Sequence, residues 1–134
     1  MKKVFFILLL AFATSLHYGQ NTYQLSSHIL DISTGTGAAG VEIQLEKFDS
    51  ASKSWKTLDK KRTDSNGRIK DFLPKQKNND GIYKLVYWTA PYFASKNQKS
   101  FYPFIEVVFE ISDQTHYHVP ITLSPFGYST YRGN

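Results

Sequence analysis

The stretch VEIQLEKF, residues 41–48, sets Val41, Ile43 and Leu45 against Glu42, Gln44 and Glu46. Side chains two apart on a strand share a face, so this pattern buries one set and wets the other. Similar short segments recur along the chain, separated by turn residues at the intervals of an all-β sandwich. SWKTLDKKR follows closely enough to form a hairpin with VEIQLEKF, and DSNG at 64–67 is a tight turn in which Gly67 can take a positive φ. RIKDFLP, GIYKLVYWTA, FIEVVFEIS, HYHVPITLS and FGYSTYRG continue the series after the first strand, YQLSSHILDIS. LPKQKNNDG reads as a surface loop, and PYFASKNQKS, lacking alternation, as one short helix with Pro91 at its start. The expectation is about eight strands in two antiparallel sheets packed face to face, with one short helix.

The 134 residues suffice for one domain with a real core. The N-terminus carries Lys2 and Lys3, an unbroken apolar run from Val4 to Ala13, then small and polar residues. That is the pattern of a secretory signal peptide, expected over residues 1–20 with cleavage near Gly19 or Gln20 and the domain over 21–134. The run is shorter than the roughly 20 residues a membrane span needs, so no membrane association is expected once it is removed. The chain has no cysteine, so an exported form has neither a disulfide framework nor a lipidated cysteine and must rely on its packed core.

Loss of Lys2 and Lys3 takes the formal net charge from +5 to +3. The remaining basic residues are scattered, do not interleave with aromatics, and in DKKRTDSNGR are partly cancelled by aspartates. No nucleic-acid partner is expected.

His17 falls in the signal segment, leaving His28, His116 and His118. His116 and His118 share one face of a strand while Tyr117 and Val119 take the other. By spacing alone they are exposed polar residues, metal ligands together with a third histidine, or proton-transfer groups. His28 shares its face with Ser26 and Leu30. A lone histidine there is ordinarily structural, as a lone Arg68 after a turn is ordinarily a surface cation, although a fixed guanidinium can hold a planar polar molecule.

The segments LSSHILDISTGTGAAGVEIQLEK, DSNGRI and HYHVPITLSPFGYSTYRGN, in that order, resemble the transthyretin-related family and within it the 5-hydroxyisourate hydrolases. The resemblance runs through essentially the whole of residues 21–134 and is most specific at the C-terminal block, where the enzymes end in Tyr-Arg-Gly-Ser. It implies a transthyretin-like sandwich that hydrolyses 5-hydroxyisourate to 2-oxo-4-hydroxy-4-carboxy-5-ureidoimidazoline in urate breakdown, with no cofactor or metal. Carried over residue by residue, it implies catalytic roles for His28, Arg68 and His118, and substrate contacts from His116, Tyr131, Arg132, Gly133 and Asn134. It also implies a homotetramer whose sites draw on more than one chain. Asn134 stands where the family has serine, which removes any role of that hydroxyl. The transthyretin branch lacks both the H-x-H and the Y-R-G ending. Two other readings remain at this point: a non-catalytic, transthyretin-like binder of small molecules, and a three-histidine zinc hydrolase. Export, to a periplasm or the exterior, follows from the signal segment alone.

Overall fold

The computed structural model describes residues 22–76 and 78–134; the signal segment and its cleavage point lie outside the described residues. In chain order the elements are β1 (Tyr23–Asp31), β2 (Thr36–Gly37), β3 (Glu42–Asp49), β4 (Ser54–Arg62), β5 (Arg68–Pro74), β6 (Gly81–Tyr87), α1 (Thr89–Ala94), β7 (Ile105–Ile111), β8 (Tyr117–Ser124) and β9 (Gly127–Thr130). One sheet runs β4-β3-β6-β7; the other runs β2-β1-β8-β9, with β5 also paired to β1. The two-layer sandwich expected from the alternation is therefore present, and the β3–β4 hairpin is antiparallel as its sequence suggests.

The layers meet through the apolar set of each strand. Leu25 and Ile29 of β1, Ile43 and Leu45 of β3, Leu85 and Tyr87 of β6, and Val119, Ile121 and Leu123 of β8 are buried in one core. At about 25 cal/mol per Å² of apolar surface, each such residue contributes roughly 1.5–3 kcal/mol on burial. Polar bonds also tie the layers within the core: Tyr87 Oη lies 2.9 Å from Ser27 Oγ, and both hydroxyls reach the Val119 carbonyl, at 3.1 and 2.7 Å respectively.

Three features differ from simple strand reading. β1 and β8 pair in parallel, with Ser26 opposite His118 and His28 opposite Pro120, within otherwise antiparallel sheets. The β1–β5 register shifts between Leu25 and Ser27, whose partners are Phe72 and Ile69. The extra residue on β5 lets Ile69 and Phe72, three apart, both reach the core while Arg68 and Lys70 stay outside. The helix begins at Thr89, two residues before Pro91, and ends at Ala94. Proline is tolerated in a first turn because its missing N–H has no intrahelical partner there.

The Asp64–Gly67 turn is held by backbone contacts. Gly67 N–H donates to the Asp64 carbonyl, and the Gly67 carbonyl accepts from Ile29 N–H, both at 2.9 Å. Gly67 has φ +75°, and a Cβ there would lie 2.5 Å from the Ile29 carbonyl oxygen and 2.7 Å from the Ala38 nitrogen. Gly67→Ala adds left-handed backbone strain to a backbone collision, so we expect a loss of about 3 kcal/mol. Urea unfolding measures it; a loss below about 1 kcal/mol would mean the turn relaxes freely, against this packing.

Candidate active site

Period-two alternation sends the core set of β1, β5 and β8 inward and its complement to the outer face of their sheet. That complement is Ser26 and His28 on β1, Arg68 and Lys70 on β5, and His118 on β8, with His116 just ahead of it. The antiparallel register sets His28 opposite Arg68, and the parallel one sets Ser26 opposite His118. A cleft of about 410 Å³ results, lined by Ser26, Arg68, Lys70, His116, His118 and Asn134 over a floor of Ser27 and Ile69. Its size falls within the roughly 300–1,000 Å³ range of small-molecule sites. A slightly larger cavity, about 440 Å³, lies elsewhere against Trp88, Pro91 and Tyr92. It contains no histidine, and its Arg62 faces Glu42 at 3.5 Å.

Ser26 joins the two histidines, its Oγ lying 2.8 Å from His116 Nε2 and 2.8 Å from His118 Nδ1. His116 Nδ1 is 3.1 Å from the Tyr23 carbonyl oxygen. His28 Nε2 is 3.0 Å from the Asn66 carbonyl oxygen, so the turn that presents Arg68 also holds this ring. Burial lowers the pKa of His118 below its ordinary value, and the charge of Arg68 lowers it further, with smaller contributions from His28 and His116. His28 is lowered by burial and by Arg68, against the opposing pull of the Asn66 carbonyl and Asp64. Both are thereby kept neutral near pH 7, the form in which imidazole accepts a proton.

The C-terminal block divides. Gly133 forms an antiparallel bridge with His118, its N–H donating to the His118 carbonyl at 2.9 Å. A Cβ on Gly133 would collide with His118 Cδ2 and lie 3.2 Å from its Cγ, so the glycine lets the terminal backbone lie against the imidazole. Asn134 reaches the cleft. Tyr131 and Arg132, in contrast, lie outside the cleft and line a groove with Val107, Val108 and Tyr117 of β7 and β8. The Arg132 guanidinium sits over the Tyr117 ring, 4.5 Å from its centroid. His28 borders the cleft without lining it. Among the described residues no group of three or more His, Asp or Glu side chains is arranged to hold a metal ion, so the three histidines do not form the zinc arrangement allowed by spacing.

Ser26 and Lys70 are members of this cleft that spacing did not single out. Ser26 was noted only as sharing a face with His28, and Lys70 carried no signal beyond its place in RIKDFLP; both acquire meaning through pairing across strands.

The HIUase/Transthyretin family model matches residues 25–133. A Caenorhabditis elegans protein named probable 5-hydroxyisourate hydrolase is 45% identical over 132 residues, covering 98% of this chain and 96% of the relative. The structure of Klebsiella pneumoniae 5-hydroxyisourate hydrolase superposes with a TM-score of 0.69 at 36% identity, covering 84% of this chain and 94% of the other. Sea bream transthyretin in complex with thyroxine superposes at 0.77 with 28% identity, covering 82% and 94%. The sandwich, the cleft on its outer face and a match spanning nearly every described residue agree: the chain belongs to the HIUase/Transthyretin family.

Proposed function

We propose that the protein hydrolyses 5-hydroxyisourate in urate breakdown, with His118 as the general base. The observation that carries this reading is the convergence of His116, His118 and Arg68 on one cleft, with His118 held below its ordinary pKa. The relatives at 45% and 36% identity that bear the hydrolase name support the same reaction. The transthyretin neighbour, at 28% identity, leaves the binding alternative with less support.

Opening an amide-like ring bond requires a nucleophilic water, stabilisation of the oxygen that becomes negative, and a proton for the departing nitrogen. His118 takes a proton from water as its oxygen bonds to the carbonyl carbon. Arg68 faces the negative charge that develops on the carbonyl oxygen. The C–N bond then breaks, and the His118 imidazolium returns its proton to the nitrogen, so protons and charge balance. His28, held neutral beside Arg68, assists His118 as a further proton-accepting group, His116 orients His118 through Ser26, and Lys70 adds a second cation for a polar ring.

Urate with urate oxidase generates the substrate in the cuvette. Added protein should hasten the decay of its ultraviolet signal, and a decay unchanged at micromolar protein would remove the assignment. In the same assay Gly133→Ala, which forces the His118 ring or the terminal backbone aside, should lower kcat about 10- to 100-fold, in line with a displaced general base. Full activity would mean that the Gly133 contact with the ring is dispensable.

The same reading extends to assembly and location. A homotetramer is supported by the exposed apolar residues Val108 and Tyr131 beside the edge strands β7 and β9, which further copies would cover, and Tyr131 and Arg132 would then serve a neighbouring site. Export is supported by the charge and apolar pattern of residues 1–20.

A further inference from the structure

Three hydrogen bonds run in series from the Tyr23 carbonyl through His116 and Ser26 to His118. A carbonyl oxygen only accepts, so the 3.1 Å contact with Tyr23 requires the proton of His116 to sit on Nδ1. The Nε2 of neutral His116 is then a bare lone pair, and the hydrogen bond at 2.8 Å must be donated by the Ser26 hydroxyl. Having directed its single proton to His116, Ser26 Oγ is left an acceptor towards His118, whose Nδ1 must carry the N–H. Neutral imidazole has one such proton, so His118 Nε2 is unprotonated. The opposite polarity, with Ser26 donating to His118, obliges His116 to donate from both nitrogens. That pattern needs one proton more on the pair of rings than the first, and it gives way to the first at a pH well above the ordinary histidine range.

We propose that Ser26 is a positioning residue which, anchored through His116 to the Tyr23 carbonyl, holds neutral His118 as its Nδ1–H tautomer and so fixes Nε2 as the proton-accepting nitrogen. The device is built into the fold. Ser26 is nearly buried, and the parallel register of β1 and β8 places it opposite His118. A hydroxyl is suited to the position because it donates to one ring while accepting from the other, which a methyl group cannot do. Its consequence for turnover rests on the reading of His118 as the base; the tautomer itself does not.

Long-range ¹H–¹⁵N correlation spectra of the full chain carrying ¹⁵N-labelled histidine, at a pH well above the ordinary histidine pKa, distinguish the two neutral tautomers. In the wild type, His116 and His118 should both be Nδ1–H. Ser26→Ala should leave His116 on Tyr23 but turn His118 mainly to the Nε2–H tautomer, with kcat lowered about 10-fold in proportion to the Nδ1–H fraction that remains. Ser26→Thr, which keeps the hydroxyl, should preserve the wild-type spectrum and restore kcat to within about threefold, because the donor–acceptor pattern is intact. A wild-type His118 found as Nε2–H, or a His118 tautomer unchanged in Ser26→Ala, would overturn the proposal. The expected spectra together with a fully active His118→Ala protein would support the tautomer and overturn the base assignment, so the two failures are separable.

Discussion

His118→Ala should lower kcat/KM for 5-hydroxyisourate about 10³-fold, within the range contributed by a positioned general base. The size follows from the environment of the ring. It is half-buried, its Nδ1 is engaged by Ser26, and the backbone of Gly133 lies against it, so water cannot easily supply a substitute base in the same place. A mutant that only loosened the fold would lose activity and thermal stability together. Here the unfolding midpoint should move little, because the ring projects from the outer face of the sheet and not into the core of Leu25, Ile29, Val119 and Ile121. Turnover within tenfold of wild type, measured as decay of the enzymatically generated substrate, would show that the proton is taken elsewhere.

Arg68→Gln should cost about 10²-fold in kcat/KM, comparable to removing one oxyanion donor, and should also displace the acid limb of the pH profile. The sign follows from the causes of the His118 shift. Burial lowers its pKa first, and the Arg68 charge lowers it further. With the charge gone, the pKa rises toward 6.5, and the neutral base is lost at a higher pH as the solution is acidified. The limb therefore moves upward. Arg68→Lys retains the charge but not the planar two-pronged donor, so it should keep the limb near its wild-type position while still losing rate. A fall in rate for Arg68→Gln with no movement of the limb would separate the guanidinium from the titrating base.

Much of the candidate site was legible before the fold. The H-x-H spacing placed both imidazoles on one face, and DSNGRI placed Arg68 directly after a turn whose Gly67 adopts the required positive φ. The burial of Tyr117 and Val119, with His116 and His118 left partly accessible, follows the alternation. What the pattern left open was who faces whom. Ser26 gains its role from a parallel pairing with a strand near the other end of the chain, and neither segment carries a local mark of that register. The shift on β5 was likewise hidden, because Ile69 and Phe72 are spaced three apart and can both face the core only across a bulge.

The sequence by itself determined the strand segments, the face each side chain takes and the tight turn before Arg68, because alternation and turn chemistry are properties of neighbouring covalent units. Only the tertiary structure decided that Ser26 stands between His116 and His118, that His28 meets Arg68, and that Tyr131 and Arg132 line the groove beside β7 and not the cleft. Those relations depend on which strands pair and in what register, which the packing of the whole core selects among distant segments.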